Sequence, residues 1–89
     1  MTDMIVHVFK DYIKHQDING FKEYLLELQE TYEDMDWSTI FQKVYIHACL
    51  KKYTPAVEFL TEKFEDLDPI TKIALRQVFA YGRYLQKKR

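Results

Sequence analysis

Three histidines and one cysteine are the side chains best suited to metal binding or nucleophilic catalysis. They are His7, His15, His47 and Cys49. Two histidines four residues apart on one helix face can hold a zinc ion, but the sequence contains no His-x-x-x-His pair. A lone helical cysteine is most often a small buried hydrophobe. The sequence therefore predicts no metal site, no cofactor and no catalytic nucleophile.

Two acidic pairs have the spacing of possible cation ligands. They are Asp34-x-Asp36 and Asp66-x-Asp68. A calcium-binding EF-hand loop needs alternating oxygen ligands, a glycine at its bend and a distal glutamate, and neither segment provides that arrangement. Carboxylates are also favoured at helix N-termini, where they accept backbone hydrogen bonds and complement the helix dipole. We expect these aspartates to lie at helix starts.

Basic side chains near the C-terminus could bind phosphate groups. The candidates for this basic face are Lys72, Arg76, Arg83, Lys87, Lys88 and Arg89. The first four follow at steps of four, seven and four, which places them on one side of a helix. Tyr81 and Tyr84 could stack bases beside them. Such a face suits nucleic acid, an acidic partner or the acidic end of another copy, although cations near a helix C-terminus are also favoured by its dipole.

Acidic side chains concentrate elsewhere, in two segments that precede the basic one. They are Glu27, Glu30, Glu33, Asp34, Asp36, Glu58, Glu62, Glu65, Asp66 and Asp68. The formal net charge is −1, so the chain as a whole has no general attraction for nucleic acid. The uneven charge distribution instead permits head-to-tail contact between copies.

Aromatic residues exceed what a small helical core easily hides: there are 7 Tyr, 6 Phe and 1 Trp. Tyrosine and tryptophan bury a large area with few rotatable bonds, which makes them typical anchors of protein interfaces. Side chains of this kind also occur at the boundary of a tight bundle. The protein-binding candidates are Tyr24, Tyr32, Trp37, Tyr53 and Phe59.

The composition predicts one all-helical domain spanning residues 1–89. The chain has 47% hydrophobic residues but only 2 Gly and 2 Pro, as expected of helices joined by short turns. A single cysteine cannot form an internal disulfide, which favours a reducing, cytoplasmic location. The apolar segment 4–9 is too short for a membrane span.

Apolar residues at steps of three and four predict five helices. The expected ranges are 3–15, 18–32, 37 to about 51, a short fourth helix from Thr54-Pro55, and 69–87. Asp17, Thr54 and Asp68 are expected to cap helices because their side-chain oxygens can accept an otherwise unpaired backbone N–H. In the fifth helix the expected apolar stripe is Ile70, Ile73, Ala74, Val78, Tyr81 and Leu85. Gly82 lies within this helix, where it predicts fraying, a kink or a closely packed neighbour.

A shift of 32 positions aligns many identical residues, among them Phe9 with Phe41, Asp36 with Asp68 and Thr39 with Thr71. Periods of this length are typical of stacked helical hairpins. The resulting hypothesis has repeats at 5–36 and 37–68 and a closing helix at 69–87. The alternative is that two amphipathic hairpins look alike because helix formation imposes the same pattern on both.

The stretch His47-Ala48-Cys49-Leu50-Lys51-Lys52-Tyr53-Thr54-Pro55-Ala56-Val57-Glu58-Phe59-Leu60 resembles the two helices of an ankyrin repeat. The resemblance covers about one repeat, without the threonine-proline-leucine-histidine opening or the glycine-rich turns of that family. It implies helix pairs stacked side by side and a protein-binding role.

Together these features predict a compact five-helix antiparallel bundle with the character of a helical-hairpin repeat. The expected function is a small, non-enzymatic protein-interaction, assembly or regulatory module that binds another protein or a second copy of itself. Its size is typical of accessory proteins of phages and mobile elements. The alternatives are a nucleic-acid-binding accessory protein that uses the basic C-terminal helix, and a helical enzyme whose site forms only in an oligomer.

Overall fold

The computed structural model describes residues 2–32 and 34–87, which form five α-helices. They are α1 (Thr2–Lys14), α2 (Ile18–Thr31), α3 (Trp37–Leu50), α4 (Thr54–Phe64) and α5 (Pro69–Lys87). No strand is present in these ranges. The prediction of an all-α, five-helix fold is confirmed. Glu33 of the acidic segment, and Lys88 and Arg89 of the basic face, lie outside the described residues.

The five helices form two layers. Helix α3 packs against α1 on one side and against α5 on the other, and its contact with α5 is the more extensive. Helix α2 packs on α1, and α4 packs on α3 and α2. One layer is therefore α1–α3–α5, and the second consists of α2 and α4.

Buried side chains from all five helices form one continuous core. Its fully buried centre includes Phe9, Phe21, Phe41, Tyr45 and Leu75. The rings of Phe9 and Phe21 join α1 to α2 with centroids 5.0 Å apart. The rings of Tyr45 and Phe79 stack between α3 and α5 at 3.9 Å. Packed aromatic pairs of this kind contribute to stability beyond the area they bury.

Aspartates begin three of the helices, as the sequence predicts for Asp17, Asp36 and Asp68. The Asp17 carboxylate accepts a hydrogen bond from the Gly20 backbone N–H at 3.0 Å. The prediction for Thr54 is wrong: Tyr53 is the residue that precedes α4, and no side chain caps this helix. Pro55 lies in the first turn of α4, where the missing N–H of proline costs no helical hydrogen bond.

The helical hairpins α1–α2 and α3–α4 have turns of the same backbone conformation. Gln16 and Lys52 both have a φ of 55°, which is the left-handed region. In each turn the following N–H donates to a carbonyl five residues back, from Asp17 to Tyr12 at 2.9 Å and from Tyr53 to Ala48 at 3.0 Å. These turns are thirty-six positions apart, whereas the caps Asp36 and Asp68 are thirty-two apart. The turns of the two hairpins therefore do not follow the shift of 32, and the 32-residue repeat stays a prediction.

The core-facing side of α5 differs from the stripe expected from the sequence. The buried residues of α5 are Leu75, Phe79, Gly82 and Leu85. Of the expected stripe only Leu85 is buried and Val78 half-buried, and the remaining members are exposed. Helix α5 continues through Gly82 to Lys87. Of the three expectations for Gly82, a closely packed neighbour is therefore the one that the structure shows.

Candidate interaction surface on helix α5

Helix α5 has a second apolar face, which is directed at solvent. We call this face the outer strip; its members are Ile70, Ile73, Ala74, Gln77, Ala80, Tyr81 and Tyr84, all exposed. At about 100° per residue they occupy one continuous sector of the helix, about 21 Å long at about 1.5 Å per residue. No charged residue of Pro69–Lys87 lies in this sector.

The large side chains of the outer strip are far more exposed than apolar groups normally are. The exposed fraction is 80% for Ile70, 67% for Ile73, 54% for Tyr81 and 59% for Tyr84. The rings of Tyr81 and Tyr84 stack on each other with centroids 6.3 Å apart. A contiguous apolar surface of this kind is typical of a binding site.

The opposite face of α5 shows why the outer strip is left in solvent. Phe79 stacks between Tyr45 of α3 and Phe64 of α4, with ring centroids 3.9 and 4.4 Å away. A side chain at position 82 would collide with the Tyr45 ring and with Cys49 Sγ. Only a helix surface with glycine at this point can approach α3 so closely. This packing places Ile70 and Ile73 on the solvent side.

A basic groove runs along one flank of the outer strip. It has a volume of about 400 Å³ and lies between α4 and α5, with Tyr45, Phe64 and Phe79 among its lining residues. Three predicted basic-face residues also line it, namely Lys72, Arg76 and Arg83. Lys72 Nζ lies 3.8 Å from a carboxylate oxygen of Glu65, which offsets part of its charge. The structure therefore brings these cations to one surface, as predicted, and Lys87 lies exposed farther along the same helix.

The predicted aromatic anchors lie mostly against the core. Phe59 is buried, and Tyr24, Trp37 and Tyr53 are half-buried and packed against the core cluster. Only Tyr32 among the five is exposed. Burial reduces the area that four of them can offer a partner, and their interface role remains a prediction.

The position of Phe59 has a clear cause. Its ring packs edge-on against Phe21, with centroids 6.2 Å apart. The ammonium groups of Lys22 and Lys63 lie over the ring at 5.4 and 5.6 Å from its centroid. These two lysines hold a cation–π arrangement that shields Phe59 from solvent.

Charge is unevenly divided among the helices. Helices α3 and α5 contain no aspartate or glutamate, whereas both contain basic residues. Helix α2 has three glutamates and one lysine. Helix α4 has two glutamates and one lysine. Helix α5 therefore has a net positive charge, and helix α2 has a net negative charge.

An apolar groove lies at the opposite edge of the molecule, and we call it the α1–α2 groove. Its volume is about 320 Å³, and its lining residues are Met4, Ile5, Val8, Tyr24, Glu27, Leu28, Thr31 and Tyr32. Burial raises the pKa of the Tyr24 phenol, and Tyr12 and Glu27 raise it further. Glu27 is the only residue in this lining set that is charged at neutral pH.

His7 and His47 line one cavity of about 530 Å³, and neither His15 nor Cys49 is part of its lining. Cys49 is buried, as predicted, and burial raises the pKa of its thiol, which disfavours the reactive thiolate. Burial, together with Lys10 and Lys51, lowers the pKa of His47. In residues 2–32 and 34–87 no three His, Cys, Asp or Glu side chains are grouped to hold a metal ion. None of the helices in these ranges is both long and apolar enough to cross a membrane.

Comparison of the chain with family models, with curated proteins and with solved structures finds no match. The ankyrin resemblance of residues 47–60 accordingly stays a prediction.

Proposed function

We propose that this protein is a small, non-enzymatic interaction or assembly module of the cytoplasm, and that its partner binds the outer strip of α5. The observation that carries the proposal is the exposure of four large apolar side chains on one uncharged helix face. The absence of a catalytic motif and the small size fit an accessory protein of the kind that phages and mobile elements encode.

Binding at the outer strip would be driven by removing apolar surface from water. Each square ångström of buried apolar area contributes roughly 25 cal/mol. Tyr81 and Tyr84 add phenol hydroxyls that can hydrogen-bond at the rim of a contact. Arg76 and Arg83 lie on the adjacent flank, so they would orient an acidic partner and accelerate its association.

Site-specific photo-cross-linking tests the proposal. A photoreactive residue replaces Ile73 in the full-length protein, and a matched variant carries it at Glu58, which is exposed on α4. We expect cross-links to protein from position 73 and none of comparable yield from position 58. Equal yields from both positions, or no protein adduct from position 73, would overturn the assignment of the binding face.

A second candidate function is nucleic-acid binding, and one observation favours it. Lys72, Arg76 and Arg83 line a groove that also contains the aromatic rings of Phe64 and Phe79. Cations beside aromatic rings are the arrangement used to bind single strands. Steep salt dependence, with loss of binding on reversing Arg76, Arg83 and Lys87 to glutamate, would support this function. Binding that depends on Ile73 and not on these cations would exclude it.

A further inference from the structure

We propose that the outer strip of α5 binds the α1–α2 groove of a second copy, so that copies of this protein associate head to tail. The inference rests on the proposed function, because it identifies the partner of the same α5 surface.

The two surfaces face away from each other in one molecule. Helix α3 lies between α1 and α5 and packs against both. The α1–α2 groove is lined by residues of α1, of α2 and of the segment just after α2, and by no residue of α3 or α5. The outer strip lies on the side of α5 away from its own core face. Neither surface can reach the other within a single copy, but a second copy can present one to the other.

Both surfaces offer apolar groups to solvent. In the α1–α2 groove, Met4 is 75% exposed, Tyr32 is 42% exposed and Val8 is half-buried. The outer strip contributes ridges of isoleucine and tyrosine along a helix. A convex helix surface and an apolar groove are the complementary shapes of helix-in-groove recognition.

The charges around the two surfaces are opposite. Helix α5 has four cations and no acid. Glu27 lines the α1–α2 groove, and two further glutamates lie on α2. An antiparallel twofold pair of α5 helices would instead place one basic flank beside the other, which is unfavourable. Charge complementarity therefore favours the α1–α2 end of another copy over an antiparallel α5 pair.

A head-to-tail contact uses two different surfaces, so it leaves one of each free at the ends of a pair. Two variants separate them: Ile73→Asp in the outer strip and Met4→Asp in the α1–α2 groove. Each variant introduces an unpaired charge into one of the two surfaces and leaves the other surface unchanged. The matched control is Leu50→Asp, which changes an exposed apolar residue of α3 outside both surfaces.

Sedimentation velocity at concentrations on the order of 10 μM to 1 mM measures the association. We expect the mass of the unmodified protein to rise with concentration, and each surface variant to lose at least about tenfold in association constant. An equimolar mixture of the two variants should form a one-to-one heterodimer and nothing larger, because one intact surface of each kind remains. Leu50→Asp should associate as the unmodified protein does.

Three results would overturn the inference: an unmodified protein that is monomeric throughout, a mixture that stays monomeric, or a Met4→Asp variant that self-associates as strongly as the unmodified protein. A monomeric protein that cross-links from position 73 to a different protein would overturn the head-to-tail contact and leave the proposed function standing. No association and no cross-link would overturn both. Tyr84→Ala and Tyr32→Ala introduce no charge, so they repeat the test if an aspartate variant fails to fold.

Discussion

Gly82 decides how closely α5 approaches α3. It is buried in the middle of a helix, where glycine costs about 1 kcal/mol relative to alanine. A Cβ atom there would lie 2.9 Å from Cys49 Sγ and even closer to the Tyr45 ring. Tyr45 cannot move aside, because its ring is fully buried and stacked on Phe79. The gain in packing outweighs the loss in helix propensity.

We expect Gly82→Ala to destabilise the protein despite alanine's better helix propensity. Overfilling a packed site costs about 1–3 kcal/mol, which equals or exceeds the gain of about 1 kcal/mol from propensity. Chemical denaturation measures the free energy of unfolding. Ala80→Gly, at an exposed position of the same helix, serves as the control and should lose only about 1 kcal/mol. An increase in the stability of Gly82→Ala would contradict the close approach.

Asp36 shows how one carboxylate begins a helix. It accepts hydrogen bonds from the Thr39 hydroxyl at 2.7 Å and from the Thr39 N–H at 3.2 Å. Both hydrogen bonds lower the pKa of Asp36 from its ordinary value of 3.8, and the bond from the hydroxyl has the larger effect. Asp68 and Thr71 make the same pair of contacts at the start of α5.

We expect Asp36→Ala to lower the free energy of unfolding by about 1 kcal/mol at neutral pH. Because the folded pKa lies below the unfolded one, the ionised cap stabilises the protein above pH 3.8, and this contribution is lost as the pH falls through the lower folded value. Asp36→Asn keeps an acceptor, so it should retain most of the stability and lose the acid-dependent part. Denaturation at neutral pH and below pH 3.8 compares both variants with the unmodified protein. If the stability difference between the unmodified protein and Asp36→Asn is the same at both pH values, the charge has no role in the cap.

At the scale of the element, helix bounds were predictable and the buried face of α5 was not. Period and capping residues locate a helix, and they placed all five. In α5, however, apolar residues lie on two opposite faces, and both satisfy the same spacing. The choice between them depends on Gly82 and on Phe79 stacking with Tyr45, which is a contact between distant parts of the chain. Periodicity contains no information about such a contact.

The candidate site was predictable only in part, for the same reason. The steps between Lys72, Arg76 and Arg83 placed them on one face, and the structure brings them to one groove. The sequence pattern places Ile70 and Ile73 in the expected apolar stripe of α5, so it does not predict the apolar half of the surface. A signal was present in the sequence: α5 has more large apolar residues than a helix with a single buried face needs.

The two faces of α5 can be compared directly by equivalent truncations. We expect Leu75→Ala, which empties a fully buried position, to cost about 2–5 kcal/mol in unfolding free energy. Ile73→Ala removes an exposed side chain and should change it by at most about 0.5 kcal/mol. Denaturation of dilute protein, below the range of self-association, measures both. Equal losses would show that the strip containing Ile73 is packed in solution.

At the scale of the whole molecule, the layered arrangement turns a nearly neutral chain into one with two oppositely charged edges. The formal net charge is −1, yet all charged residues of α3 and α5 in the described part of the chain are basic, whereas α2 and α4 each contain more glutamates than lysines. The core is continuous through both layers, so these edges are held in a fixed relation. When the two edges of a rigid molecule carry opposite charge, contact between unlike edges of two copies is favoured over contact between like edges.

This charge arrangement predicts how salt affects self-association. Exposed opposite charges across a contact attract by about 0.2–1 kcal/mol per pair. At 1 M salt the Debye length is about 3 Å, so most of that attraction is screened. For a head-to-tail contact we expect the dissociation constant to rise several-fold between low and high sodium chloride. This rise corresponds to a loss of binding free energy on the order of 1 kcal/mol. Contact between two α5 surfaces would bring like charges together, so salt would strengthen it. Sedimentation of Glu27→Gln provides the control, since removing a carboxylate from the α1–α2 groove should reduce the salt dependence while leaving the apolar contact in place.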